Sequence, residues 1–204
     1  GLMILSSYLG RKYAQDMPLS LSAHITFEQN YSGIEGDSAS STELYCILSA
    51  LSGLPLKQGI AVTGSVDQFG NVQPIGGVNE KIEGFYEYCK IAGLTGEQGV
   101  MIPASNMRHL MLSDEVIGAV KEGKFSVWAV NDIDEGLEIL TGTAAGKPRK
   151  DGSYNDKTVH GLVKSRLKKM LSDGMRLEKK FSRSPRKSRK KKAAPENVED
   201  NSNP

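Results

Sequence analysis

Glu35-Gly36-Asp37-Ser38-Ala39-Ser40 is the first of two short motifs on which the interpretation of this chain depends. The second is Gly76-Gly77-Val78-Asn79-Glu80-Lys81. Each motif places one reactive side chain beside a glycine-containing turn that leads into a helical pattern. A serine is a poor nucleophile unless a base accepts its proton, and a lysine is a base only while its amine is neutral. The pair Ser38 and Lys81 therefore indicates a serine hydrolase that works without histidine.

The position of Ser38 just before a helical pattern suits a nucleophile. Backbone N–H groups at the start of a helix carry partial positive charge, so they can stabilise an oxyanion formed at this serine. The alternative is an ordinary helix cap, because serine is common there. The spacing from Ser40 to Glu43 also matches a capping box, and Asp37 is a second candidate cap.

Lys81 falls on the same helical face as Val78 and Ile82. Apolar neighbours solvate an ammonium poorly, which favours the neutral amine that a general base requires. The alternative is a surface lysine in the first helical turn, paired with Glu80 or Glu83.

Thr63 lies between the two motifs, in the strand pattern Val62-Thr63-Gly64-Ser65. Its hydroxyl is placed to orient a neutral amine. The alternative is that a β-branched residue stands there only because it suits a strand.

Hydrophobic periodicity predicts an α/β domain with a mixed sheet. Helices are predicted over Leu2–Tyr13, from about Ser40 to Gly53, over Val78–Gly93, Asn106–Val120 and Ile133–Leu140. Strands are predicted over Leu19–Phe27, Ile60–Val66, Asn71–Ile75, Gly99–Ile102 and Phe125–Val130, with a hairpin around Asp67–Gly70.

Residues 1–142 resemble the C-terminal proteolytic domain of Lon proteases, most closely the B-type branch and its bacterial Lon-related relatives. Glu35-Gly36-Asp37-Ser38-Ala39 matches the serine motif of that branch, and Pro74 to Lys81 matches the lysine motif of the family. The separation of 43 residues between Ser38 and Lys81 is also typical of the family. The resemblance implies that Ser38 is the nucleophile, Lys81 the general base and Thr63 a hydrogen-bonding partner of the lysine. It also implies that Glu35 and Asp37 are flanking acids able to contact the lysine in resting arrangements.

The same resemblance implies the fold and the activity. The expected fold is a compact α/β domain, ribosomal protein S5 domain 2-like, that assembles into a ring of six. The expected activity is that of a cytoplasmic, ATP-dependent serine endopeptidase acting on unfolded or damaged polypeptides. This sequence contains no Gly-x-x-x-x-Gly-Lys-Ser/Thr loop. We therefore expect a proteolytic fragment without a cofactor of its own, with ATP and magnesium belonging to an upstream ATPase module.

A second hypothesis is a catalytically silent assembly module of the same fold. It would bind nucleic acid through a basic C-terminal tail. The presence of both Ser38 and Lys81 argues against this hypothesis, because a scaffold needs neither.

Basic and acidic residues are distributed unevenly along the chain. Residues 143–204 hold 18 of the 26 Lys and Arg residues but only 7 of the 24 acidic residues. We predict a proteolytic domain over 1–142, a linker with an amphipathic helix over 143–171 and a largely disordered basic tail over 172–204. The run Arg183–Lys192 is expected to make nonspecific contact with polyanions such as nucleic acid.

Cys46 and Cys89 fit no metal-ligand or redox spacing and are expected to act as small hydrophobic residues in a reducing compartment. No metal site is predicted. No apolar run is long enough to predict a membrane span.

Overall fold

A computed structural model describes residues 2–28 and 36–182 of the chain. In these residues the helices are α1 (Leu2–Tyr13), α2 (Ser40–Ser52), α3 (Val78–Ala92), α4 (Asp114–Lys121), α5 (Ile133–Thr141) and α6 (Val159–Ser182). The strands are β1 (Ile60–Val62), β2 (Ser65–Val66), β3 (Val72–Gln73), β4 (Gly99–Pro103) and β5 (Ser126–Val130). The predicted α/β class is confirmed, with parallel and antiparallel pairings both present.

The larger sheet is parallel and has the strand order β1-β4-β5. Val62 pairs with Met101, and Met101 pairs with Trp128. The central strand β4 is buried along its whole length, as expected for a parallel strand covered on both faces. The carboxyl end of β1 leads directly into Thr63.

The smaller sheet is the predicted hairpin of β2 and β3. Its turn is closed by Asp67, whose Oδ1 accepts hydrogen bonds from the N–H groups of Phe69 (2.8 Å) and Asn71 (2.9 Å). The single strand predicted over Ile60–Val66 is interrupted at Thr63 and Gly64, so that β1 and β2 belong to different sheets. This interruption places the two residues beside the candidate site.

The buried side chains form two clusters. The first lies between α1, α2, α5 and α6, and includes Tyr13, Leu44, Leu48, Leu137 and Val163. The second packs α3 and α4 against β4 and β5, and includes Ile82, Tyr86, Ile102, Val116 and Phe125. The apolar stripes of α2 and α3 thus face different clusters, and the starts of the two helices come together beside Thr63, directly after β1.

The strand predicted over Leu19–Phe27 is wrong, because this segment is assigned no strand. Leu19 and Leu21 are half-buried against the first cluster while Ser20 and Ser22 are exposed. The alternation therefore records burial on one side of an extended segment. Strand assignment also needs a backbone partner, which the described residues do not supply.

The single helix predicted over Asn106–Val120 is also wrong. The structure has a 3₁₀-helix over Ala104–His109, a short extended link, and then α4 from Asp114. Asn106 is buried and its side chain bonds to the backbone of Ile75. These long-range bonds fix the segment in a conformation that local periodicity does not encode.

Helix α6 confirms the predicted amphipathic helix from Val159 but continues past Leu171 to Ser182. Its first half buries Val159, Val163 and Leu167 in the first cluster, so it packs against α2 and is part of the domain. Residues 183–204, including the basic run Arg183–Lys192, lie outside the described residues.

Candidate active site

Ser38 lies in a turn that the neighbouring strand segment holds at two points. Gly64 donates its N–H to the carbonyl of Ser38 at 2.8 Å, and its own carbonyl accepts from the N–H of Ser41 at 3.1 Å. A Cβ atom at Gly64 would lie 2.9 Å from Val72 Cγ1 and 3.1 Å from Ser41 Oγ. Glycine therefore lets the backbone of the strand segment approach the serine turn closely.

Helix α2 begins at Ser40, two residues after Ser38, and its first turn has no side-chain cap. The predicted capping box is wrong, because the Ser40 hydroxyl instead accepts a hydrogen bond from the N–H of Val66 at 3.1 Å. Ser40 N–H donates to the carbonyl of Asp37. Among the hydrogen bonds of the described residues, none uses the N–H of Ser38 or of Ala39. These two groups are therefore the candidates for holding an oxyanion.

Lys81 lies in the first turn of α3, which begins after Gly77 in the left-handed conformation (φ 68°). The N–H of Lys81 donates to the carbonyl of Gly77 at 3.1 Å. The turn before the helix is held by Asn106, whose Oδ1 accepts from Ile75 N–H at 3.0 Å and whose Nδ2 donates to Ile75 carbonyl at 2.9 Å. Both backbone groups of Ile75 are thus satisfied by one buried amide.

The three predicted residues of the dyad and its support meet in space. Lys81 Nζ lies 3.2 Å from Ser38 Oγ and 3.2 Å from Thr63 Oγ1. Thr63 is buried, and its N–H donates to the carbonyl of Met101 at 3.0 Å. Strand pairing therefore fixes the threonine, and the threonine hydroxyl fixes the amine beside the serine.

These three side chains line a cavity of about 240 Å³ together with apolar atoms of Ala61, Val62 and Val100. The expectation that Lys81 is poorly solvated is not met in this chain, because the residue is exposed. Its aliphatic neighbours Val78 and Ile82 are buried on the core side of α3.

Asp37 does not contact the lysine in this arrangement. Its Oδ2 accepts a hydrogen bond of 2.6 Å from the hydroxyl of Ser65, which is 6% exposed. No ion pair joins Lys81 to an acid in the part of the chain that the structure describes. Glu35, the other predicted flanking acid, lies outside the described residues.

Several supporting residues were missed at the sequence level. Gly64 interrupts a strand pattern, which is a recognised signal of close backbone approach and was available in the sequence. Ser65 and Asn106 carry no such signal, because their partners are 28 and 31 residues away in the chain.

The described residues contain no group of three or more His, Cys, Asp or Glu side chains able to hold a metal ion. Cys46 and Cys89 are free thiols there, the first exposed and the second buried. No helix among the described residues is long and apolar enough to span a membrane.

Comparison with known families decides the interpretation of this geometry. Residues 10–142 match the family described as the Lon protease (S16) C-terminal proteolytic domain. The chain belongs to this family. The match contains Ser38, Thr63 and Lys81, so the cavity with the serine–lysine contact lies inside the Lon proteolytic domain.

The curated relatives agree with this assignment. A Lon protease homolog of Escherichia coli is 51% identical over 140 residues, which cover 69% of this chain and 24% of the relative. A Lon protease homolog of Haemophilus influenzae is 45% identical over 168 residues, covering 82% and 28% of the two chains. An archaeal Lon protease of Archaeoglobus fulgidus is 38% identical over 153 residues, covering 75% and 22%.

The chain spans about a quarter of the length of these relatives. The match of 168 residues is longer than the predicted domain 1–142. Similarity to the Haemophilus influenzae relative therefore extends into the segment that carries α6, in keeping with the packing of that helix on the Lon domain.

Proposed function

We propose that this chain is the proteolytic part of an ATP-dependent serine endopeptidase, with Ser38 as nucleophile and Lys81 as general base. The observation that carries the proposal is the distance of 3.2 Å from Lys81 Nζ to Ser38 Oγ. Hydrogen-bond reach between nucleophile and base is the geometric requirement for this chemistry. Membership of the Lon proteolytic family supports a peptide as the substrate.

In the first step, neutral Lys81 accepts the proton of Ser38 as Oγ forms a bond to the carbonyl carbon of the scissile peptide. The carbonyl electron pair moves to oxygen and gives a tetrahedral oxyanion. When this intermediate collapses, the C–N bond breaks and the Lys81 ammonium returns its proton to the leaving amine. Lys81 then deprotonates a water that attacks the acyl ester, which releases the new carboxyl end and restores Ser38.

Other groups of the site support these steps. The N–H groups of Ser38 and Ala39 at the start of α2 are suited to the oxyanion, since the helix dipole favours negative charge there. Thr63 accepts a hydrogen bond from the amine and so fixes its orientation. The neutral amine then directs its lone pair toward Ser38, and the ammonium formed later directs a proton there. The remaining wall of the cavity is aliphatic and suits an uncharged peptide.

The exposure of Lys81 suggests how the activity is controlled. A polypeptide strand laid over the cavity, or a neighbouring subunit, would exclude water and favour the neutral amine. We propose that the whole protein forms a ring of six in which such contacts arise. We also propose that an ATPase module, in the part of the relatives that this chain does not match, delivers unfolded polypeptides. Contact of Arg183–Lys192 with nucleic acid stays a prediction.

Covalent labelling of the 204-residue chain with a fluorophosphonate tests the dyad without requiring turnover of a protein substrate. We expect mass spectrometry to place the label on Ser38. We expect Ser38→Ala to remove the label and Lys81→Ala to slow labelling by at least about a hundredfold. Lys90→Ala is the matched control, because Lys90 lies in the last turn of the same helix and pairs with Glu115, and neither residue lines the cavity.

A labelled serine other than Ser38 would contradict the proposal, as would undiminished labelling of Lys81→Ala. Unlabelled wild-type chain, tested as the isolated fragment and after fusion to the upstream ATPase module, would favour the silent assembly module instead.

A further inference from the structure

Thr63, Gly64 and Ser65 are consecutive, and each binds a different part of the candidate site. Thr63 Oγ1 contacts Lys81, Gly64 N–H holds the carbonyl of Ser38, and Ser65 Oγ donates to the carboxylate of Asp37. Two of these contacts support the dyad directly. The third has no evident part in the proposed chemistry, although its length of 2.6 Å and the burial of Ser65 mark it as a well-formed bond.

The charge of Asp37 gives this bond its importance. Asp37 immediately precedes Ser38, whose Oγ is 3.2 Å from Lys81 Nζ. A carboxylate on the residue next to the one that contacts an ammonium can pair with that ammonium, since ion pairing lowers the energy of both charged forms. An ammonium paired in this way keeps its proton and cannot act as a base. The same pairing would draw Nζ away from the serine oxygen.

We propose that Ser65 is a positioning residue whose hydroxyl holds the Asp37 carboxylate on the hairpin and so keeps it from pairing with Lys81. This inference rests on the proposed function, because it assumes that Ser38 and Lys81 form the reactive pair. Ser65 does not line the cavity and its hydroxyl bonds to neither Ser38 Oγ nor Lys81 Nζ, so it acts through Asp37.

The other charged groups near the amine do not replace Asp37 in this role. Glu80 and Glu83 lie on α3 beside Lys81, but Glu83 Oε1 accepts from the N–H of Ser113 at 2.8 Å. Glu80 is in the first turn of the helix, where the dipole already favours its charge. Neither forms an ion pair with Lys81 in the described part of the chain. Directly after β1, the group that faces the amine is the uncharged hydroxyl of Thr63.

The test is the rate at which the fluorophosphonate labels Ser38, measured in the 204-residue chain from neutral to alkaline pH. Ser65→Ala should slow labelling about tenfold near neutral pH and move the rise of the rate with pH to the alkaline side. The double variant Ser65→Ala with Asp37→Asn should recover most of the rate, because the carboxylate charge is gone. Ser65→Thr keeps the hydroxyl and should stay within about threefold of the wild type.

Ser49→Ala is the matched control. Its hydroxyl also makes a bond of 2.6 Å, to the carbonyl of Leu54 at the opposite end of α2. It should leave the labelling rate and its pH dependence unchanged. Circular dichroism and thermal unfolding establish whether each variant is folded. If Ser65→Ala does not fold, the comparison of Ser65→Thr with the double variant provides the test.

Two results would overturn the role of Ser65 alone. One is a wild-type rate in Ser65→Ala. The other is a double variant as slow as Ser65→Ala, since a packing defect at position 65 is not relieved by neutralising Asp37. In both cases wild-type labelling that depends on Lys81 would leave the proposed function standing. If wild-type labelling did not depend on Lys81, that result would instead contradict the proposed dyad and, with it, the role of Ser65.

Discussion

His160 Nε2 lies 2.9 Å from Asp134 Oδ1 in the interior of the domain. On its other side, His160 Nδ1 lies 2.5 Å from the hydroxyl of Tyr13. The ionised carboxylate of Asp134 can only accept a hydrogen bond, so Nε2 is the donor on that side, and Nδ1 of a neutral imidazole then accepts from the Tyr13 hydroxyl, whose pKa is raised by burial. The neutral imidazole therefore carries its proton on Nε2 and donates it to Asp134. This chain of bonds joins α1, α5 and α6.

Burial and neighbouring groups shift the pKa values of both His160 and Asp134. Burial by itself raises the pKa of Asp134, but the hydrogen bond from His160 and the charge of Lys12 outweigh it and lower that pKa to about 2. Burial lowers the pKa of His160, and the bond to Asp134 opposes this only in part. The structure shows a His–Asp–Tyr cluster, but one without a nucleophile and separate from the cavity at Ser38.

The buried imidazole predicts acid sensitivity of the fold. The pKa of His160 is lowered in the folded state, whereas in the unfolded chain it has the ordinary histidine value of about 6.5. Below that pH the unfolded chain therefore binds more protons than the folded chain. The free energy of unfolding should therefore fall as the pH drops below about 6.5, by at most about 1.4 kcal/mol per pH unit. Urea unfolding of the wild type and of His160→Gln measures this slope.

His160→Gln should lower stability at neutral pH but remove most of the slope between about pH 7 and 5. His24→Gln removes an exposed imidazole and should keep the wild-type slope. An equal slope in the wild type and in His160→Gln would show that another group causes the acid sensitivity.

Asn106→Ala should destabilise the fold and the site together. The variant leaves the N–H and carbonyl of Ile75 without their partner in a half-buried turn, which we expect to cost about 2 kcal/mol of unfolding free energy. Because this turn leads into α3, the position of Lys81 should loosen and labelling of Ser38 should slow. Chemical unfolding and the labelling rate measure the two effects.

Asn79→Ala is the comparison for Asn106→Ala. Its amide also makes two bonds to backbone, to the carbonyl of His109 and the N–H of Met111, but these bonds are exposed to solvent. Water can replace exposed partners, so the loss should stay below about 1 kcal/mol. A larger loss in Asn79→Ala than in Asn106→Ala would contradict the importance given to burial.

How far the sequence predicted this site depends on the range of the interactions. The glycine turns and the apolar stripes of α2 and α3 are local patterns, and they placed Ser38 and Lys81 at the starts of two helices. The strand pattern placed Thr63 between them. The Ser65–Asp37 bond joins two segments that are distant in the sequence and close only in the folded structure, so no local sequence pattern predicts it.

The errors have the same origin. Alternation over Leu19–Phe27 reports which side chains are buried, but it does not report whether a neighbouring strand is present to complete the backbone hydrogen bonds. Lys81 shares a helical face with buried residues, yet its long side chain extends past them to the cavity. Hydrophobic periodicity predicts the face of the helix on which a residue lies, but it does not predict how much of a long side chain is exposed to solvent.

Gly64→Ala should separate the serine turn from the strand segment. The new methyl group would approach Val72 Cγ1 to 2.9 Å and Ser41 Oγ to 3.1 Å, closer than ordinary packing allows. Overpacking of this kind costs about 1–3 kcal/mol, and relief requires movement of the turn that carries Ser38. Thermal unfolding should show the loss, and fluorophosphonate labelling should slow.

Gly84→Ala provides the control for Gly64→Ala. Gly84 lies inside α3, where an added methyl group would meet no atom within 4 Å, so alanine should stabilise the helix by up to about 1 kcal/mol. Labelling should be unchanged in this variant. Equal effects of the two substitutions on labelling would argue that the approach of Gly64 to the serine turn has no role.

Thr63→Val tests whether the threonine hydroxyl, and not the shape of the side chain, orients the amine. Valine has nearly the same shape and suits the strand, but it cannot accept the hydrogen bond of 3.2 Å from Lys81 Nζ. With that bond absent, the exposed amine samples more positions, and we expect labelling of Ser38 to slow about tenfold. Thr63→Ser keeps the hydroxyl and should label within about threefold of the wild type, although loss of the methyl group should cost about 1 kcal/mol of stability. If the serine variant were slower than the valine variant, packing by the methyl group would be the property that matters at this position.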